Sequence, residues 1–129
     1  IRDINYYFDR IAPNGPAMSN AIIAVLHARL GDPETAFKVF KKSYTDKLRP
    51  PFGVLSENAN NSRVSFATGL GGILQSVIFG FAGLEITEQG IIQLPTKIPS
   101  HWKSLTVTGV GVDKKTYKVE NPDYTGNQR

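Results

Sequence analysis

Apolar positions along this 129-residue chain follow two periods, and the change falls near residue 84. From Pro16 to Leu30, the residues Met18, Ile22 and Val25, with Ala21 and Leu26, recur at helical spacing and predict a helix. Proline suits its first turn, and Gly31 is a natural C-terminal stop. Asp32-Pro33-Glu34 opens a second helix: Asp32 accepts the orphan amides, Pro33 suits the first position, and Glu34 favours the positive end. Ala36, Phe40, Tyr44 and Leu48, with Phe37 beside them, form one apolar stripe of a helix running from 33 to about 47. The tight Gly-Asp turn makes the pair an αα-hairpin. Pro50-Pro51 ends it, and a polar loop runs from Phe52 to about Ser65.

A third helix, about Thr68–Phe81, begins Thr68-Gly69-Leu70-Gly71-Gly72. Glycines cost helix stability, so this cluster calls for a close approach of another backbone or of a ligand. Apolar side chains surround the helix almost completely, which predicts an inner helix covered on both faces. After Gly83 the period shortens. Residues 84 to 94 predict a β-hairpin turning at Glu88-Gln89-Gly90. Leu105–Val110 and Thr116–Val119 predict two more strands. Residues 1 to 15 hold Tyr6, Tyr7 and Phe8 and then the turn signal Pro13-Asn14-Gly15. The tail Asn121–Arg129 has no core-forming pattern. The expected class is α+β, helices first and a small antiparallel β region after them, divided at 1–83 and 84–129.

Composition narrows this picture only modestly. With 40% apolar and 20% charged residues the chain is ordinary for a globular protein. The net charge of +4 is scattered except at Lys38, Lys41, Lys42, Lys47 and Arg49. These five read as a solvated helix face rather than a nucleic-acid surface. No cysteine is present, so no disulfide framework or thiolate metal site is expected. Val64–Leu84 carries no charge, but its five glycines and the polar Ser65, Thr68, Gln75 and Ser76 predict a core helix and not a membrane span. No P-loop, dinucleotide fingerprint or paired-histidine metal spacing occurs, and neither a cofactor nor a metal is expected. His27 and His101 are isolated.

The Ser56-Glu57-Asn58 loop is the chemical candidate. A carboxylate among Ser and Asn side chains, just before a glycine-rich helix start, has the makings of a polar pocket, and such side chains suit sugar hydroxyls. On composition alone a solvated loop glutamate is the commoner outcome.

Four pieces occur in order: Gly15-Pro16-Ala17-Met18-Ser19; Ala28-Arg29-Leu30-Gly31-Asp32; Phe52-Gly53-Val54-Leu55-Ser56-Glu57; and Thr68-Gly69-Leu70-Gly71-Gly72 continuing to Leu84. With Pro99-Ser100-His101-Trp102-Lys103-Ser104-Leu105 they resemble the C-terminal part of the catalytic region of glycoside hydrolase family 65. That family holds acid trehalase-like and kojibiose hydrolases and the maltose, trehalose and kojibiose phosphorylases. The resemblance covers roughly residues 6–110.

It implies the end of an (α/α)6 barrel, about three helices, followed by a small β-domain. It also implies an inverting enzyme acting on an α-linked glucose disaccharide such as trehalose or kojibiose. Glu57 matches the general base of hydrolase members, which takes a proton from water. Ser56, Asn58, Asn60, Thr68, Gly69, Gly71 and Gln75 are the substrate-binding candidates. The general acid belongs to an earlier part of the barrel and has no match here, so the isolated chain is expected to be inactive, a non-catalytic carbohydrate-binding or structural fragment by itself. The implied partners are a disaccharide or oligosaccharide and the remainder of the barrel. Self-association through exposed apolar surface is a further expectation. A periplasmic or extracellular location is favoured over a cytoplasmic one. Phosphorylases use phosphate as nucleophile and often hold it with His and Ser near this loop. No His falls between Phe52 and Gly83, which favours hydrolysis, although amides at Thr68, Gly69 and Gly71 would suit an anion.

Overall fold

The computed structural model describes residues 2–60, 65–124 and 126. Asn61 and Arg63, within the predicted loop, lie outside them. The described residues form four α-helices: α1 (Arg2–Phe8), α2 (Ala17–Arg29), α3 (Pro33–Lys42) and α4 (Ala67–Gln75). A π-helical segment, Ser76–Phe81, continues α4 and is closed by the Ala82 amide donating to the Val77 carbonyl at 2.9 Å. Between α3 and α4 lie the two-residue strands β1 (Leu48–Arg49) and β2 (Val54–Leu55). After the π segment come β3 (Leu84–Thr87), β4 (Gly90–Gln93), β5 (Ser104–Val110) and β6 (Lys115–Glu120).

The αα-hairpin forms where the turn signals place it. Gly31 takes φ of +80°, a conformation that costs glycine nothing. The Asp32 carboxylate accepts the Thr35 amide at 3.1 Å and caps α3. The helix is shorter than its apolar stripe implied, ending at Lys42. The buried Ser43 hydroxyl donates to the Phe40 carbonyl at 2.6 Å, a local bond that competes with continuing the helix. Lys47 then folds inward, and its ammonium donates to the Lys42 carbonyl and to Asp46 Oδ1, each at 2.8 Å. With 1% of it exposed, Lys47 is no part of a solvated helix face. Leu48 leaves the stripe and stands exposed on β1.

The predicted core face of α2 also moves. Ala17, Ala21, Ala24 and Ala28 are buried, whereas Met18, Ile22, Leu26 and Leu30 are exposed. Small residues win the interior because the neighbour comes so close. A Cβ at Gly72 would stand 3.0 Å from the Ala21 Cβ, and one at Gly80 3.3 Å from the Val25 Cα. Ser76 crosses the same seam, its hydroxyl donating to the Ala21 carbonyl at 2.9 Å. The far side of α4 is open: Leu70 and Leu74 are 48% and 62% exposed. Among the described residues, then, α4 is covered on one face and not on two.

Among the described residues the region after residue 84 is two separate two-stranded antiparallel sheets, β3–β4 and β5–β6, rather than one sheet, and a third pair, β1–β2, lies among the helices. The predicted hairpin at 84–94 forms with Ile86 opposite Ile91. β5 pairs with β6 across an irregularity between Val107 and Val110. β1–β2 and the short helix α1 have too few residues to show a period. One buried cluster, Ala28, Ala36, Phe81, Ile98 and Val119, joins helices and strands. Trp102 and Phe40 pack on Phe81 with ring centroids 5.1 and 5.6 Å away. The Glu34 carboxylate accepts the Ser100 amide at 2.6 Å, and the Asn121 amide group donates to the Ser100 and Trp102 carbonyls. No helix of the described residues is long and apolar enough to cross a membrane.

Candidate active site

Pro50-Pro51-Phe52-Gly53 turns the chain between β1 and β2, with Gly53 at φ of +66°. The ladder pairs Arg49 with Val54 and Leu48 with Leu55. It gains one more rung where the Ser56 amide donates to the Lys47 carbonyl at 2.8 Å. Glu57 is the next residue, half-buried. Its carbonyl accepts the Ala17 amide at 2.9 Å. α2 has Pro16 at its N-cap and no side-chain cap, so the Glu57 backbone satisfies one of the amides a helix start leaves over. This bond sets Glu57 beside the N-terminal turn of α2, 40 residues away in sequence.

Ser56 has a different part from the one expected of it. It is fully buried, and its hydroxyl proton is shared between the carbonyls of Lys47 (2.9 Å) and Asn58 (2.8 Å). A hydroxyl spent on backbone inside the protein is not presented to a sugar. Asn58 is half-buried, and its side-chain oxygen is a buried acceptor with no hydrogen-bond partner among the described residues. Asn60 is exposed.

Thr68, Gly71 and Gln75 come together on α4, apart from that loop. They line a cavity of about 660 Å³ with Ile11, Met18, Ser19 and Ile22. Its wall is mostly apolar, and neither Glu57 nor Asn58 belongs to it. Gly69 faces the opposite way. A Cβ there would lie 2.9 Å from both the Ala17 Cβ and the Leu55 side chain, and 2.8 Å from the Phe66 ring. Its glycine character is explained by packing, with no ligand needed. Gly71 has nothing within 4 Å of its notional Cβ.

The structure therefore divides the expected residues into two groups, the Glu57 loop and the α4 cavity, with no lining residue in common. Arg49 was missed as part of the first group. Its guanidinium donates to the Asp46 and Asn58 carbonyls at 3.0 Å, to Leu48 at 3.5 Å, and to Ala59. The signal available in the sequence was Pro50-Pro51, which bars a helix from reaching Arg49.

No family model matches the chain. It is 48% identical over 120 residues to a kojibiose hydrolase of Mucilaginibacter mallensis, covering 92% of this chain and 18% of that protein. It is 32% identical over 117 residues to a protein-glucosylgalactosylhydroxylysine glucosidase of Dictyostelium discoideum, covering 91% and 16%. An alpha,alpha-trehalose phosphorylase of Geobacillus stearothermophilus is 26% identical over 127 residues, covering 92% and 16%. The chain spans less than one-fifth of the length of these relatives.

Proposed function

The chain is a homologue of glycoside hydrolase family 65 enzymes, and from that premise we propose that it carries the general base of an inverting glycosidase. The substrate class is an α-linked glucose disaccharide of the trehalose or kojibiose kind. Glu57 accepts a proton from the attacking water. The general acid stands on the opposite side of the sugar, in a part of the catalytic barrel outside this chain. In an inverting pair the two carboxyl groups are about 6.5–9.5 Å apart, leaving room for the water.

One observation supports this above the others. The backbone of Glu57 is tied by its own carbonyl to the N-terminus of α2, a long-range bond that gives the loop a fixed anchor. A base must be held within hydrogen-bond reach of its water, so a pinned loop glutamate suits the task and a free surface one does not. Asn58, the next residue and half-buried, is a substrate-hydroxyl partner in this reading, with the exposed Asn60 two residues on. The hydrolases among the three relatives described above have the higher identities to this chain, which favours water as nucleophile.

Glu57→Gln, made in the full-length protein, is expected to lower kcat for disaccharide hydrolysis at least about 100-fold, the low end for general-base work. Turnover within a few-fold of wild type refutes the assignment. A phosphorylase is the second reading. The start of α4 has no side-chain cap and no acidic residue in its first turn, as suits an anion at Thr68 and Gly69. Release of a sugar 1-phosphate strictly dependent on added phosphate would decide for it, and glucose release without phosphate against it.

A further inference from the structure

We propose that Arg49 is a positioning residue for Glu57, acting through the backbone of the loop that carries it; this rests on the assignment of Glu57 as the base. Arg49 stands on β1, on the opposite strand from the loop. Its Nη1 donates back to its own side of the hairpin, to the carbonyls of Asp46 (3.0 Å) and Leu48 (3.5 Å). Its Nη2 reaches across to the carbonyls of Asn58 (3.0 Å) and Ala59, which follow Glu57. One planar group thus joins both sides.

The residue before Glu57 is fixed as well. Ser56 is tied to Lys47 by its amide and its hydroxyl, and the hydroxyl also reaches Asn58. Lys47 in turn is held from inside by Asp46 and the end of α3. Glu57 therefore sits between two immobilised residues, with its own carbonyl on Ala17.

Arginine suits this place for a chemical reason. Its guanidinium offers five N–H donors in a rigid fork, so it can serve carbonyls on two sides at once without choosing among rotamers. The bonds carry positive charge on the donor, which strengthens them relative to neutral ones. Lysine has the charge but not the fork, and alanine has neither. Loss of the fork frees the Ala59 carbonyl and leaves Asn58 to the Ser56 hydroxyl alone, and the Glu57 carboxylate loses its defined distance to the water. A misplacement of about 1 Å at a reacting group costs up to about 100-fold in rate.

A double-mutant cycle in the full-length protein tests this. Arg49→Ala and Arg49→Lys should each lower kcat about 10- to 100-fold with KM within about twofold. Arg49→Ala placed on Glu57→Gln should cost little more than Glu57→Gln alone, because Arg49 works through that carboxylate. Guanidinium ion added to Arg49→Ala should restore part of kcat and do nothing for Glu57→Gln. Multiplicative losses in the double variant, or wild-type kcat in Arg49→Lys, overturn the proposal while leaving Glu57 as base. Wild-type turnover in Glu57→Gln overturns the base assignment and this proposal with it. Should Arg49→Ala fail to fold, Arg49→Lys keeps the charge and carries the test, with its Tm as the control for a merely structural effect.

Discussion

Two regions meet at Ala17 and are held by opposite means. The seam that α4 and the π segment make with α2 is built from what is missing: a carbon added at Gly69 or Gly72 would stand 2.9 or 3.0 Å from the Ala17 or Ala21 Cβ, and one at Gly80 3.3 Å from the Val25 Cα. The Glu57 loop is built from what is spent: Arg49, Lys47 and Ser56 use charged and polar groups on backbone carbonyls. Dispersion across a tight seam fixes distance but not direction. Hydrogen bonds fix direction, which a catalytic carboxylate requires. If Glu57 is the base proposed above, the seam sets where the loop stands and the clamp sets how it is aimed.

The Glu57→Gln and Arg49 experiments carry the largest expected effects and probe the clamp side. On the seam side, Gly69→Ala puts a methyl 2.8–2.9 Å from Phe66, Ala17 and Leu55. Alanine gains about 1 kcal/mol of helix propensity over glycine, but the crowding involves atoms on three sides. A net loss of about 1–3 kcal/mol is expected, read as a lower denaturation midpoint with unchanged m-value. A neutral result would mean that the seam yields and does not set the distance.

Asp32 sharpens the comparison at a third place. Hydrogen bonds from the Thr35 side chain and amide, with a smaller contribution from nearby His27, hold its carboxyl below the ordinary carboxylate value of 3.8. The depressed value means that the ionised form is favoured by folding. Its contribution is complete above the unfolded value and is lost as pH falls through the folded one. Asp32→Ala should cost about 1 kcal/mol at neutral pH and show less further loss than wild type below about pH 4, by chemical denaturation across pH. An equal acid slope in the two proteins would assign that loss to other groups.

The smallest effect has the opposite sign. Gly71→Ala meets nothing within 4 Å and lies in the middle of α4. It should raise stability by about 0.5–1 kcal/mol, measured beside Gly69→Ala. Two glycines two positions apart would then respond in opposite directions, as one-sided packing demands.

Much of the helical part was legible. Pro16, Gly31 and Asp32-Pro33 mark real boundaries because each has a backbone reason to stand there. The glycine cluster rightly called for a close approach, and at Gly69 and Gly72 the partner is α2. Ser56 was misread: Ser-Glu-Asn looks like a polar pocket in one dimension, and nothing local tells a buried hydroxyl from an exposed one. Lys47 and Arg49 were misread for the same reason, their partners being carbonyls that only folding brings near.

The sequence by itself determined the three helices α2, α3 and α4 and the strands that follow residue 84, though not α1 or β1–β2, and its ordered motifs pointed to a glycosidase family. Those are properties of short windows, where turn chemistry and hydrophobic period act locally. Only the tertiary structure decided which face of an all-apolar helix is covered, which glycines are needed and where Glu57 is anchored. α2 and α4 are apolar around most of their circumference, so period cannot choose a face. The choice falls to the neighbour whose backbone can come closest.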